Sequence, residues 1–207
     1  MSKRNTNPFK RRISFRPMRE SFLILCEGEN TEPIYFNSFR LVTATVQALP
    51  VRAGDAKAVV RSAIRRRNVE TDKGNDYDHY WVVFDKDETA DQAFNEAIAL
   101  AEENGFRVAY SNQAFELWFV LHFEYISRPM HRRQHTERLT ALLGFRYEKD
   151  KETTRRICRV LLDQQEQAIN YAQRLLNQYR DNDPRNPATE ESSTTVHQLV
   201  QELRLFR

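Results

Sequence analysis

Short apolar runs recur through the first half of the chain and predict four β-strands. The two strongest runs cover residues 22–26 and 80–84, and two weaker extended segments cover residues 46–51 and 106–110. Continuous apolar runs of this length are typical of strands that are covered on both faces. The pattern therefore predicts a central sheet with a layer of other structure on each side.

Helical patterns fill the intervals between these runs. Thr31 is predicted to cap a first helix, and apolar side chains at helical spacing predict two more helices over residues 56–67 and 89–104. Strands and helices alternate from the first strand to the fourth. This is the order expected for an α/β fold with a four-stranded, mainly parallel sheet flanked by helices.

The pattern changes after the fourth strand. Residues 115–123 are densely apolar, and further helices are predicted over residues 132–143, 157–179 and 195–203. The second half is therefore predicted to be a helical extension packed on the sheet.

Positive charge is concentrated at the start of the chain. The 207 residues carry a formal net charge of +3, but residues 1–20 contain seven basic residues and one acidic residue, with no periodic pattern. We therefore predict a flexible basic arm over 1–20, a catalytic core over 21–125 and a helical extension over 126–207. An uneven charge distribution of this kind suits a polyanionic partner.

Basic side chains in the arm and on the predicted helices are candidates for nucleic-acid contacts. The candidates are Lys10, Arg11, Arg12, Arg65, Arg66, Arg132 and Arg133. Lysine and arginine can neutralise backbone phosphates regardless of base sequence. The alternative for each arginine run is an ordinary solvated helix face.

Cysteine usage and hydropathy indicate the cellular compartment in which the protein is expected to lie. Cys26 and Cys158 form neither a disulfide framework nor a zinc-ligand spacing. The apolar runs are too short to cross a bilayer, and no apolar segment of signal-peptide length follows the basic start. We expect a cytoplasmic protein with no membrane partner. A transit peptide is the alternative explanation of the arginine-rich start.

Carboxylates follow the two strongest predicted strands. Glu27 comes directly after the first strand, and Asp85 and Asp87 follow the third. In an open parallel sheet these strand ends meet at one edge, where ligands bind. Crowded carboxylates repel one another unless a cation neutralises them, and oxygen ligands suit Mg²⁺ or Mn²⁺. We predict that Glu27, Asp85 and Asp87 are catalytic and hold such an ion to act on nucleic-acid phosphodiesters.

Two of these acids also have a structural explanation. Asp87 could cap a helix that starts near Glu88, and Glu27 could be an ordinary turn carboxylate. Asp85 is harder to explain in this way, because it follows a strand as apolar as residues 81–84. The pairing of acids across two strands is what favours a shared site.

Long motifs carry a resemblance to a known family. The segment FLILCEGENTEPIYF at residues 22–36 resembles the opening of the RloB family. The other similar segments are PFKRR at 8–12, FDKD at 84–87, YSNQAFELW at 110–118, LHF at 121–123, NP at 186–187 and TVH at 195–197. The resemblance spans nearly the whole chain.

The RloB family looks like a branch of the TOPRIM superfamily, and this resemblance implies a TOPRIM-like core. Such cores place a glutamate after strand one and Asp-x-Asp after strand three, which matches Glu27 and the Asp85–Asp87 pair. OLD-type nucleases of that superfamily carry a further acid shortly after the first glutamate. Glu32 corresponds to it as a metal ligand, at a spacing that is one residue longer. The resemblance also implies a nuclease of abortive-infection phage defence with an ATPase partner, and RNA such as tRNA is one candidate substrate.

Other polar residues are candidates for support of this site. Glu116 stands in an apolar segment, where an unpaired carboxylate is costly, so it is predicted to be a supporting metal ligand; a contact with a helix N-terminus is the alternative. His122 could shuttle protons or be a satisfied core residue. Ser111 and Asn112 could touch phosphate, although Asn112 could instead initiate a helix. His197 could bind phosphate at a helix start.

Two other functional classes compete with the nuclease. A non-catalytic module that binds nucleic acid or docks on a partner would use the arginine runs and leave the acids without a role. A phosphoacceptor domain of the receiver type also gathers acids at strand ends. Against it, the acids after the first strand are glutamates and no clear strand-end lysine follows.

Overall fold

The computed structural model describes residues 19–51, 53–182 and 184–207. Four strands form one sheet: β1 (Glu20–Cys26), β2 (Ala44–Pro50), β3 (His79–Asp85) and β4 (Arg107–Ser111). Their order across the sheet is β2-β1-β3-β4, and each neighbouring pair runs parallel. The predicted parallel sheet is confirmed, with the two most apolar strands at its centre.

Eight α-helices flank the sheet in the described part of the chain. They are α1 (Thr31–Asn37), α2 (Ala56–Asp72), α3 (Asp91–Glu103), α4 (Glu116–Val120), α5 (Arg132–Leu143), α6 (Lys151–Leu161), α7 (Gln165–Leu176) and α8 (Val196–Arg204). Short 3-10 turns cover Asn177–Tyr179 and Pro187–Thr189. The predicted α/β class with helices at the C-terminal end is confirmed. No described helix combines the length and the apolar character needed to cross a bilayer.

Alternate side chains of the central strands enter two separate apolar layers. Phe22 and Trp81 pack in the layer formed with α1 and with α4 to α8. Leu23 and Val82 pack in the opposite layer, with α2 and α3. Successive side chains of a strand point to opposite faces, so burial on both faces requires an unbroken apolar run. The helical extension thus shares a core with one face of the sheet.

Several helix boundaries differ from the sequence expectation. The cap position of α1 is Asn30, so the prediction that Thr31 caps the helix was wrong by one residue. Helix α2 continues to Asp72, where the Glu70 carboxylate accepts hydrogen bonds from Lys73 and Asn75, at 3.3 and 3.0 Å, and ties the end of the helix to the loop that follows. Helix α3 begins at Asp91 and is preceded by Ala90, so Asp87 does not cap it.

One long helix predicted over residues 157–179 is two helices in the structure. Asp150 accepts hydrogen bonds from the backbone N–H groups of Glu152 and Thr153, at 2.8 and 3.0 Å, and starts α6 earlier than predicted. Residues 162–164 then separate α6 from α7. The buried Leu161 and Gln165 keep a four-residue spacing across this break. Periodicity therefore could not reveal the break.

Candidate active site

Acidic residues from several elements line one cavity at the carboxyl end of the central strands. The cavity has a volume of about 310 Å³ and is lined by Glu27, Gly28, Glu29, Asn30, Thr31, Glu32, Asp85, Asp87, Phe115, Glu116 and Lys149. We call it the acidic cavity. All five residues predicted as metal ligands line it, and Lys149 is the one lysine among its described lining residues.

Glu27 and Asp85 meet because their strands are neighbours in register. Cys26 of β1 pairs with Val83 of β3, so the residues that follow each of them leave the sheet side by side. The backbone N–H of Asp85 donates to Oε2 of Glu27 at 3.0 Å. The backbone N–H of Phe115 donates in turn to Oδ2 of Asp85 at 3.0 Å. Asp85 is thus fixed between β1 and the start of α4.

Glu32 reaches the cavity from the first turn of α1. Its side chain is buried, and its carboxylate lies directly against Gly28. A Cβ added at Gly28 would collide with that carboxylate. A larger residue at position 28 would therefore displace the Glu32 carboxylate, and the absence of a side chain at Gly28 lets Glu32 lie in the same cavity as Glu27.

Glu116 is completely buried and is held by two residues from the segment between α5 and α6. The Tyr147 hydroxyl donates to Oε1 of Glu116 at 2.7 Å. The Lys149 ammonium lies 2.9 Å from Oε2. This pairing gives the buried carboxylate the partners that such a group requires.

Lys149 and Tyr147 were missed by the sequence analysis. They stand in a polar segment that shows no motif and no periodic pattern. The one available signal was indirect. A carboxylate in an apolar segment, as Glu116 is, needs a cationic or hydroxyl partner from elsewhere in the chain.

Asp87 is held in a left-handed backbone conformation and points to an arginine of the extension. Its φ angle is +42°, and its carboxylate forms an ion pair with Arg132 of α5. The other oxygen, Oδ1, is buried and makes no hydrogen bond within the described residues. The intervening Lys86 turns away and lies 2.9 Å from Asp91. Arg132, which was predicted to contact nucleic acid, therefore lies next to the acidic cavity and contacts one of its lining residues.

The pKa values show how poorly the cavity tolerates its negative charge. Burial raises the pKa of Asp85 well above its usual range, and the charges of Glu32 and Glu27 raise it further. Burial, followed by the charge of Glu116, raises the pKa of Glu32 to about 7. Burial also raises the pKa of Glu27, although the Asp85 N–H opposes this shift. The cavity therefore favours a bound cation or proton.

The donor set suits a hard divalent cation, but its side chains are engaged within the protein. Over the described ranges 19–51, 53–182 and 184–207, no three Asp, Glu, His or Cys side chains are arranged to hold a metal ion. Glu27 accepts from Asp85, Glu116 pairs with Lys149, and Asp87 pairs with Arg132. The ligands are carboxylate oxygens only, which fits Mg²⁺ or Mn²⁺, and the unpartnered Oδ1 of Asp87 is a free ligand atom.

Ser111 and Asn112, predicted as phosphate contacts, attach β4 to the C-terminal segment instead. The Ser111 hydroxyl lies 3.0 Å from that of Thr194. The Asn112 amide donates to the backbone carbonyls of Pro187 and Glu190, at 3.1 and 2.7 Å. Asn112 does not initiate the next helix either, because α4 begins only at Glu116. Neither residue lines the acidic cavity.

His122 and His197 are core residues and do not line the acidic cavity. Nδ1 of His122 lies 2.9 Å from the Trp118 carbonyl oxygen, and Nδ1 of His197 lies 2.9 Å from that of Thr194. Burial lowers the pKa of each imidazole to about 4. Both histidines are therefore neutral near pH 7. His122 is a buried core residue, as its structural alternative predicted, although its Nε2 makes no hydrogen bond among the described residues. His197 is buried as well.

The other predicted nucleic-acid contacts are dispersed. Arg65 donates to the Ser62 hydroxyl at 2.8 Å, and Arg66 lies 3.2 Å from Glu70, both on α2. Arg133 is exposed on α5, which covers the opposite face of the sheet from α2. Lys10, Arg11 and Arg12 lie outside the described residues.

Comparison with known proteins gives a match at the level of a family. The model of a family described as RloB-like protein matches residues 22–203. The chain matches no curated protein and no solved structure. The matched range includes every residue that lines the acidic cavity.

Proposed function

The chain belongs to the RloB-like family, and we propose that it is a metal-dependent nuclease whose active site is the acidic cavity. Its substrate is a nucleic-acid phosphodiester and its cofactor is Mg²⁺ or Mn²⁺. The TOPRIM-like arrangement of Glu27, Asp85 and Asp87 supports this proposal, because these acids reach one cavity from the ends of adjacent strands.

One observation carries the proposal. Among the described residues, six acidic side chains and one lysine line this cavity of about 310 Å³. The fold maintains this crowding although it raises the pKa of Glu27, Glu32 and Asp85. A purely structural role does not require so many like charges in one place, whereas functional sites regularly retain such unfavourable arrangements.

The carboxylates and the lysine of the acidic cavity have different tasks in this proposal. Glu27, Asp85 and Asp87 hold the divalent cation, with Glu32 and Glu116 in support. The cation supplies stabilisation of the negative charge that develops on the phosphate during displacement. Lys149 is more than half exposed although it pairs with the buried Glu116, so its ammonium can also approach a phosphate from the solvent side.

Arg132 has a second task that follows from its position. Its guanidinium pairs with Asp87 and is about half exposed. A guanidinium binds phosphate well through two parallel hydrogen bonds. With a cation held by Asp87, Arg132 would be free to contact the substrate backbone. Arg132 is one of the predicted nucleic-acid contacts, and in this proposal it lies beside the scissile phosphate.

The biological setting is proposed from the family resemblance. We propose a cytoplasmic protein of abortive-infection phage defence that acts with an ATPase partner and cleaves RNA such as tRNA. The charge distribution supports a polyanionic substrate, since the seven basic residues of the first twenty are separated in sequence from the acidic motifs.

The decisive test is cleavage by purified protein, alone and with its ATPase partner. Labelled tRNA, single-stranded RNA and duplex DNA are incubated with Mg²⁺, Mn²⁺ or a chelator. We expect cleavage only with a metal, and a loss on the order of 10³-fold in Asp85→Asn and Glu27→Gln, because several kcal/mol of charge stabilisation disappear. Asp91→Asn is the matched control, since Asp91 pairs with Lys86 outside the cavity.

The outcome that contradicts the proposal is equally specific. Circular dichroism first establishes that the variants are folded. Cleavage that persists undiminished in folded Asp85→Asn protein, or in the presence of the chelator, would show that the acidic cavity is not the active site.

One observation favours a second candidate function, a non-catalytic module. Lys149 and Arg132 already neutralise Glu116 and Asp87 within the chain. If these pairs are permanent, the acids are structural and the basic surfaces bind nucleic acid or a partner. Phage protection that is unchanged by Asp85→Asn would support this candidate.

A further inference from the structure

A second and larger cavity lies at the other end of α1. Its volume is about 770 Å³, and four arginines, Arg40, Arg155, Arg159 and Arg207, line it together with Asp163. We call it the arginine cavity. Helix α1 has seven residues and is therefore about 10 Å long, so the same short helix contributes to both cavities.

The four arginines come from three separate parts of the chain. Arg40 follows α1, Arg155 and Arg159 are on α6, and Arg207 follows α8. A solvated helix face would gather its charges on one element. Here three segments converge on a concave surface, and such a shape concentrates the field of its charges.

Three arginines of this cavity have no acidic partner among the described residues. No ion pair between described residues involves Arg40, Arg155 or Arg159, whereas Arg66, Arg107, Arg132, Arg138 and Arg185 each pair with an acid. Arg207 lies over the ring of Phe39, at 5.7 Å from its centroid. Among the described residues that line the cavity, Asp163 is the one acid, against four arginines.

The spacing on α6 adds an energetic argument. Arg155 and Arg159 are four residues apart and therefore neighbours on one helix face. Like charges at this spacing destabilise a helix by about 0.2–0.5 kcal/mol. An anion bound between them would remove this repulsion.

The floor of the cavity is apolar, and its cysteine is not reactive. It includes Ile34, Phe39 and Leu162. Burial raises the pKa of the Cys158 thiol to about 11, so this cysteine is neutral near pH 7 and is not a nucleophile. A ligand would be held here by charge and shape without a covalent bond. The volume lies within the usual range of small-molecule sites.

We propose that the arginine cavity binds a phosphate group carried by a nucleotide, either free or within a nucleic-acid strand. Guanidinium groups match phosphate oxygens in paired hydrogen bonds, and four of them around one cavity exceed the charge of a single phosphate. The apolar floor can accept part of a sugar or base. This binding requires no metal and therefore does not depend on nuclease activity at the acidic cavity.

The test measures binding by the full chain in the presence of a chelator. Three probes are used: inorganic phosphate, AMP, and a fluorescently labelled single-stranded RNA of twelve nucleotides. The variant is Arg155→Gln/Arg159→Gln, and the matched control is Arg61→Gln/Arg180→Gln, which removes the same charge from exposed arginines outside the cavity. Arg40→Gln tests a different segment of the same cavity.

We expect binding to weaken about tenfold or more in the α6 variant, since two charge-assisted hydrogen bonds are lost. Arg40→Gln should weaken it as well, and the control should bind like the wild type. AMP or inorganic phosphate that binds in this way identifies a free nucleotide or phosphate as the source. Binding of the RNA alone identifies a strand, and the slope of log affinity against log salt should then be shallower by about 1.4 in the α6 variant.

Two results would overturn the proposal. One is a wild-type protein that binds none of the three probes. The other is equal weakening in the α6 variant and in the control, which would mean that only overall charge matters. Since the substituted arginines are exposed, all variants should keep the wild-type circular dichroism spectrum.

Discussion

The acidic cavity and the arginine cavity lie at opposite ends of α1 and hold their charges in opposite ways. In the acidic cavity, Glu32 and Glu116 are buried, and Glu116 is held by Tyr147 and Lys149. In the arginine cavity the guanidinium groups are exposed, and Arg155 has no acidic partner among the described residues.

This difference shows which charged groups depend on the fold for fixed partners and which depend on water. Water solvates the exposed arginines, so their charge has little effect on stability until a ligand arrives. Buried carboxylates lose that solvation and need fixed partners, so the surrounding structure must be built around them. The predictions below test this contrast by stability as well as by function.

The largest expected effect concerns the buried interior around α4, the helix that begins at Glu116 of the acidic cavity. His122 follows α4, and burial lowers its pKa to about 4. The unfolded chain has a histidine pKa near 6.5 and therefore binds the proton first as the pH falls. Stability is thus present above pH 6.5 and is lost between pH 6.5 and 4, by up to about 3 kcal/mol.

The measurement compares wild-type protein with His122→Phe. Urea unfolding at pH 7.5, 5.5 and 4.5 gives the free energy of unfolding of each. The wild type should lose stability relative to the variant as the pH falls. An unchanged difference between the two proteins would mean that water reaches His122 and that the contrast between the cavities is overstated.

The next effect is the removal of one donor to a buried carboxylate. Tyr147→Phe deletes the hydroxyl that donates to Glu116. A hydrogen bond to a buried charged group contributes about 1.5–3 kcal/mol, so we expect a loss of about 2 kcal/mol in the free energy of unfolding. Tyr179→Phe is the matched control, because its hydroxyl donates to the exposed backbone carbonyl of Glu191.

The control should lose less than about 1 kcal/mol, and Arg40→Gln in the arginine cavity should change stability by no more than about 0.5 kcal/mol. Equal losses of unfolding free energy in Tyr147→Phe and Tyr179→Phe would contradict the idea that the buried Glu116 carboxylate depends on its fixed hydrogen-bond partners.

The sheet and the strand-end acids could be predicted because the signals are local. Unbroken apolar runs identify β1 and β3, and Glu27 and Asp85 follow them directly in sequence. Parallel pairing then leaves only one edge on which these side chains can meet. The alternation of strands and helices, and with it the class of fold, follows from the same short-range pattern.

The rest of the site could not be predicted because it depends on packing between distant segments. Lys149 and Tyr147 reach Glu116 across about thirty residues of sequence, and nothing in their own segment marks them. Ser111, Asn112, His122 and His197 showed the reverse problem. Their residue types suit catalysis, but burial against the C-terminal segment or α4 gives them structural partners.

The smallest expected effect compares Asp85, the last residue of β3, with Asp78, which precedes that strand. Replacing each by asparagine should change the free energy of unfolding in opposite directions. Burial raises the pKa of Asp85, so its charged form is unfavourable in the folded protein. Hydrogen bonds from Ser21 lower the pKa of Asp78, so its charged form is favourable. Without metal at pH 7, Asp85→Asn should therefore stabilise the protein by on the order of 1 kcal/mol, whereas Asp78→Asn should destabilise it.

A bound metal should reverse the order of stability of the wild type and Asp85→Asn. Mn²⁺ that binds the folded acidic cavity should raise the thermal midpoint of the wild type and of Asp78→Asn, and leave that of Asp85→Asn unchanged. Thermal unfolding with and without a chelator measures both effects in one experiment. A wild-type midpoint that is insensitive to Mn²⁺, together with a destabilised Asp85→Asn, would mean that Asp85 serves the fold through its contact with Phe115. The arginine cavity provides the reference, because Arg155→Gln should leave the response to Mn²⁺ intact.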